Sequence, residues 1–117
     1  MPGWSEGAPL NAFSRKGEPI MKTYIILLNF TEQGLKNIKE SPSRLDSARK
    51  AAEAAGGKFK EWYLVMGQYD AVLVAEAPND EVITRLLLTI GALGNVRTQT
   101  LSAFTEAEYR KLCASLI

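Results

Sequence analysis

The chain has 117 residues, 46% hydrophobic and 23% charged, with 14 Lys and Arg against 13 Asp and Glu, for a net charge of +1. Such balance argues against nucleic acid as the main partner, and a domain of this size can withdraw roughly two-thirds of its unfolded surface from water without staples. One cysteine and no histidine exclude an internal disulfide framework and remove the commonest general base, metal ligand and haem axial ligand, so no cofactor and no metal are expected.

Residues 1–20 hold three Gly and three Pro, show no apolar periodicity and contain no signal-peptide core, which predicts a disordered leader ahead of one domain over residues 21–117. Met21 opens the first patterned segment and is itself a candidate start. No stretch approaches the roughly 20 apolar residues of a membrane helix, so a cytoplasmic protein with no membrane contact is expected.

From Thr23 to Phe30 both parities are apolar, with Tyr24, Ile26, Leu28 and Phe30 on one face and Ile25 and Leu27 on the other, the mark of a strand covered on both sides. Thr31 is placed to cap a helix running through Leu35 and Ile38. Ser41 is read as the N-cap and Pro42 as the first position of a second helical segment carrying Leu45, Ala48, Ala51, Ala52 and Ala55, and Gly56-Gly57 ends it. Lys58–Met66 and Tyr69–Glu76 flank Gly67-Gln68, which predicts a hairpin with a two-residue turn. Counting outward pairs Tyr63 with Val72, Glu61 with Val74 and Phe59 with Glu76 on one face. The other face, with Met66, Tyr69, Leu64, Ala71, Trp62, Leu73, Lys60 and Ala75, is the more apolar and is expected to meet the helices. Asn79 or Asp80 caps a helix with a Val82, Ile83, Leu86, Leu87 and Ile90 stripe, closed by Gly91 and Gly94. Val96–Phe104 reads as a fourth strand. Thr105 and Glu108 form a capping box for a last helix striped by Tyr109, Leu112, Cys113 and Leu116. The order βαββαβ plus a terminal helix is the ferredoxin-like α+β arrangement.

In that topology the end of strand one lies beside the starts of strands three and four, so Asn29, Asp70 and Arg97 converge at one sheet end, where the first helix also begins. An Arg beside a helix N-terminus makes a seat for a carboxylate or phosphate. The plainer reading is that Asp70 and Arg97 pair with each other or with loop amides to fix the sheet end. Tyr63, Tyr69 and Trp62 are candidates to stack on a ligand, although strand aromatics mostly serve cores and interfaces. Cys113 has no histidine to activate it and is read as a buried thiol on the terminal-helix stripe.

The segments Gly67-Gln68-Tyr69-Asp70, Glu76-Ala77-Pro78 and Gly91-Ala92-Leu93-Gly94-Asn95-Val96-Arg97-Thr98-Gln99-Thr100-Leu101 resemble the GYD domain family of bacteria and archaea. The resemblance spans about Met21 to Thr105. It implies a small α+β domain akin to the dimeric α/β barrels and no particular chemistry.

Three functions are compatible with these residues. The preferred one is a homo-oligomeric binding or sensing protein for a small anionic or aromatic ligand held by Asn29, Tyr63, Tyr69, Asp70 and Arg97. A cofactor-independent oxygenase or isomerase would use Asp70 as base, with Arg97 or Tyr69 stabilising an enolate. A purely structural oligomer would leave no cavity. Self-association, as a dimer or larger, follows in the first and third readings from the second apolar face of the sheet. Two helices and a short third cannot cover both faces, so Tyr63, Val65, Val72 and Val74 would otherwise stand in water.

Overall fold

The computed structural model describes residues 20–117; the expected leader, apart from Ile20, lies outside them. The domain contains β1 (Lys22–Phe30), a short α1 (Glu32–Lys36), a 3-10 turn (Ile38–Glu40), α2 (Ser41–Ala54), β2 (Lys58–Leu64), β3 (Ala71–Ala77), α3 (Asp80–Ala92), β4 (Val96–Ala103) and α4 (Glu106–Ala114). The four strands form one sheet in the order β2-β3-β1-β4, and all three pairings are antiparallel. This is the ferredoxin-like α+β fold with an added C-terminal helix.

Three helices begin where the sequence places caps, whereas Ser41, expected as a cap, is the first helical residue of α2, and Glu40 before it makes no side-chain capping bond. Thr31 accepts from the Gly34 amide, Asn79 from the Val82 amide, and Thr105 and Glu108 close a reciprocal capping box. The first helix is shorter than expected. It stops at Lys36, and a 3-10 turn leads into α2, which carries Pro42 in its first turn. Gly34 explains how tightly α1 sits on the sheet end, because a Cβ there would lie 2.0 Å from the Asn95 carbonyl oxygen. That carbonyl also accepts from the Thr31 amide, and the Thr31 hydroxyl donates to the Gly94 carbonyl, so α1 and the turn before β4 are locked together.

β1 is central, and its pleat sorts the core. Tyr24 and Ile26 are 2% and 0% exposed on the helix side, opposite Ala75 and Leu73 of β3. They pack with Ala77, Ile83 and Leu86, each large apolar side chain so buried contributing about 1.5–3 kcal/mol. The Tyr24 hydroxyl reaches Asp80 Oδ1 at 2.6 Å, a contact shared with Lys22 Nζ at 2.6 Å. Burial, then the Asp80 hydrogen bond and charge, push the Tyr24 phenol well above its usual range. Hydrogen bonds from Lys22 and Tyr24 hold the Asp80 carboxyl below its ordinary 3.8.

The β2–β3 register is as counted from Leu64–Ala71 through Tyr63–Val72 and Trp62–Leu73 to Glu61–Val74, and then it slips. Phe59 faces Ala75, not Glu76, because Lys60 is the extra residue of a bulge. The bulge turns Phe59 to the helix side, where it is 5% exposed and joins the core. The 65–70 connection is also looser than a two-residue turn, with Val65 N donating to the Asp70 carbonyl and Asp70 N to the Leu28 carbonyl, so Met66 is fully exposed and Tyr69 reaches Gln99 on β4 instead of meeting the helices.

Cys113 and its stripe are a second departure. The thiol is exposed, as is every residue of 104–117, because α4 leaves β4 without folding back onto the core. Tyr109, Leu112 and Leu116 are 60%, 47% and 76% exposed. Among the described residues, no helix is long and apolar enough to cross a membrane.

Candidate functional site

Two helices cover one face of the sheet, and the other is open. Its residues run in rows set by the register. Glu61, Val74, Ile25 and Leu101 make one row, and Tyr63, Val72, Leu27 and Gln99 the next. The middle of the face is therefore apolar, with Ile25, Leu27, Val72 and Val74 half-buried between the more exposed Tyr63 and Leu101. Toward the end of β1 the face turns polar, because Asn29 lies opposite Arg97 in the next row.

There Leu27, Asn29, Gln68, Tyr69, Arg97 and Gln99 line a shallow depression of about 340 Å³. Asn29 Nδ2 donates to the Gln68 carbonyl at 3.1 Å, and Tyr69 Oη donates to Gln99 Oε1 at 2.8 Å. These two bonds tie the 65–70 connection to β1 and β4 and fix the wall of the depression. Arg97 is different in kind. Among the described residues its guanidinium has neither an ion-pair partner nor a hydrogen-bond acceptor, so its fork of donors is available to a carboxylate or another planar anion.

Of the five residues singled out in the sequence, the structure brings Asn29, Tyr69 and Arg97 together around this depression. Asp70 is next to it in the chain, but its Oδ2 accepts from the Phe30 amide at 2.9 Å and closes the β1–β3 end. It makes no ion pair with Arg97. Tyr63 stands on edge strand β2, two strands from Asn29, with its hydroxyl donated to Glu61. That hydrogen bond, with the Glu61 charge, raises the phenol above its ordinary value. At the start of α1 the Thr31 side chain caps the Gly34 amide, its hydroxyl is given to the Gly94 carbonyl and its own amide to the Asn95 carbonyl. Gln68 and Gln99 were not singled out. Gln99 was legible by parity, two residues from Arg97 on the same strand face, whereas the Gln68 contribution is a backbone carbonyl that side-chain chemistry does not reveal. No group of three or more Asp, Glu, Cys or His able to hold a metal occurs among the described residues.

A sequence model of the GYD domain matches residues 24–113. The "Glutamine synthetase and cystathionine beta-lyase binding protein" of Thermus thermophilus is 32% identical over 89 residues, which cover 75% of this chain and 94% of that protein. Among solved structures, MtbAldR superposes with a TM-score of 0.59 at 17% identity over 74% of this chain. The feast or famine regulatory protein of M. tuberculosis, complexed with L-methionine, gives 0.55 at 18% over 72%. This chain spans 55% and 50% of those two chains, about half of each, and at these identities the likeness bears on the fold alone.

Proposed function

The chain belongs to the GYD domain family, and from that premise we propose that it is a homo-oligomeric, cytoplasmic binding protein whose polar depression takes a small carboxylate. The observation that carries the reading is Arg97, a cation without a partner among the described residues, set between hydrogen-bonding side chains at the edge of an apolar face. Pairing two open faces about a twofold axis buries Val72, Val74, Ile25 and Leu27 and walls in the depression, turning a dish into a pocket. Within it Arg97 supplies charge and a bidentate fork, while Asn29, Tyr69 and Gln99 fix orientation. Catalysis at this place is less well supported, because the Asp70 carboxylate is engaged by the Phe30 amide and, among the described residues, no other base lines the depression.

The enzyme-binding name of the Thermus relative favours one further source of the same chemistry, an acidic side chain or C-terminus presented by a partner protein. Calorimetry with a panel of amino and keto acids separates the two. Saturable binding that falls at least tenfold in Arg97→Gln, with the oligomer intact, supports a free small carboxylate. Failure of the whole panel, together with Arg97-dependent capture of purified glutamine synthetase, transfers the site to a protein partner. If Arg97→Gln changes neither, the depression is not the site.

A further inference from the structure

The other face of the sheet carries a second opening. α2 presents mostly small residues to this side, Ser47, Ala48 and Ala51 beside Leu45, where α3 presents Leu86, Leu87 and Ile90. The small side chains leave a cleft of about 290 Å³ between α2, α3 and the sheet. Its effect is visible along β1. Tyr24 and Ile26 are sealed, but Leu28 and Phe30 on the same face are only half-buried, as are Trp62, Leu87 and Ile90 across from them. An ordinary core would have filled this space with larger side chains.

The charge in the cleft is one-sided. Among the described residues Arg44 is the only charged one lining it, and no Asp or Glu does. Its guanidinium donates to two neutral carbonyls, Asn37 at 2.8 Å and Gly34 at 3.5 Å, and has no carboxylate partner among the described residues. Apart from neutral polar groups such as Ser41, Asn95 and Thr98, the remaining lining is aliphatic or aromatic. A single uncompensated cation on an apolar cavity selects a ligand with an apolar body and one negative end.

We infer that the cleft between α2 and α3 is a second binding site, for a monocarboxylic acid with a compact aliphatic or aromatic body, its carboxylate on Arg44 and its body against Trp62, Leu28 and Phe30. The site is distinct from the Arg97 depression, which lies on the opposite face.

Trp62 reports on occupancy. The chain has two tryptophans, so Trp4→Phe leaves Trp62 as the single emitter. In that background octanoate is titrated against octanol, its uncharged counterpart. The expected result is a saturable shift of Trp62 emission with octanoate binding at least tenfold tighter than octanol. That preference should survive largely in Arg44→Lys and vanish in Arg44→Gln. Ala48→Phe, which fills the cleft, should abolish both signals while the protein still melts cooperatively. No saturable shift with either probe overturns the inference, as does an unchanged octanoate preference in Arg44→Gln or undiminished binding in a folded Ala48→Phe. Binding seen only after removal of residues 1–19 also overturns it, since the cleft would then be the seat of the chain's own N-terminal segment.

Discussion

Val72→Lys tests the use of the open face most directly. Val72 lies in the row between Tyr63 and Leu27, at the middle of the apolar patch, and is half-buried within its own chain. If two copies meet there, each protomer buries only the remaining half of that valine, worth about 0.7–1.5 kcal/mol, and a twofold dimer loses it twice. The low end of that range is about 1.4 kcal/mol per dimer, and at about 1.4 kcal/mol per decade the dissociation constant rises roughly tenfold or more. The lysine stem can lie along the patch and carry its ammonium outward, which limits the additional cost of the charge. Sedimentation velocity over a dilution series reads the shift, and far-UV circular dichroism should show the variant folded. A wild-type protein that stays monomeric at every concentration, or a lysine variant that assembles as the wild type does, would refute the argument from the uncovered face.

Gly34→Ala forces a methyl group against the Asn95 carbonyl oxygen, so a loss of about 1–3 kcal/mol and a clearly lowered melting temperature are expected. Cys113→Ala should leave stability within about 0.5 kcal/mol, because the thiol is exposed, and a loss of 2 kcal/mol or more in thermal melts would show that α4 is covered in solution. Asp80→Ala tests the Lys22–Asp80–Tyr24 cluster. The folded carboxyl titrates below its ordinary 3.8, so its contribution is fully present above that value and is lost as pH falls through the lowered one. Its exposure keeps the effect under about 1 kcal/mol, and the gap between wild type and variant in urea melts should be constant from pH 6 to 8 and close below pH 4.

The fold was legible because several local signals agreed. Caps at Thr31, Asn79 and Thr105 marked helix starts, and the doubly apolar β1 marked the centre of the sheet. The bulge at Lys60 left a weaker trace. Phe59 and Trp62 both turn toward the helices, yet they have opposite parity, which a regular strand cannot satisfy without one extra residue between them. Cys113 shows a different limit. A periodic apolar stripe predicts that a helix face will be covered without saying by what, and the exposed Tyr109, Leu112 and Leu116 show that the cover does not come from the core of this chain. At the site, convergence of Asn29 and Arg97 followed from topology, whereas the capture of Asp70 by the Phe30 amide depends on a backbone position that the spacing of side chains does not encode.

The two openings share β1 through its pleat. Leu27 and Asn29 line the depression, Leu28 and Phe30 line the cleft, and Thr98 on the neighbouring strand borders both. Adjacent residues of one strand thus serve ligands on opposite faces, yet the charged groups at stake are set apart, Arg97 on β4 and Arg44 on α2. Substitutions without shared partners add to within about 0.3–0.5 kcal/mol. The Arg44→Gln/Arg97→Gln double variant should therefore lose octanoate preference and carboxylate binding by the same factors as the two single variants. If β1 shifts when either site fills, the effects will depart from additivity, and each ligand must then change the affinity of the other by the same factor. Titrating octanoate with and without a saturating depression ligand measures that factor. A ratio near one assigns the two faces independent roles, and a ratio of five or more makes the shared strand a coupling element.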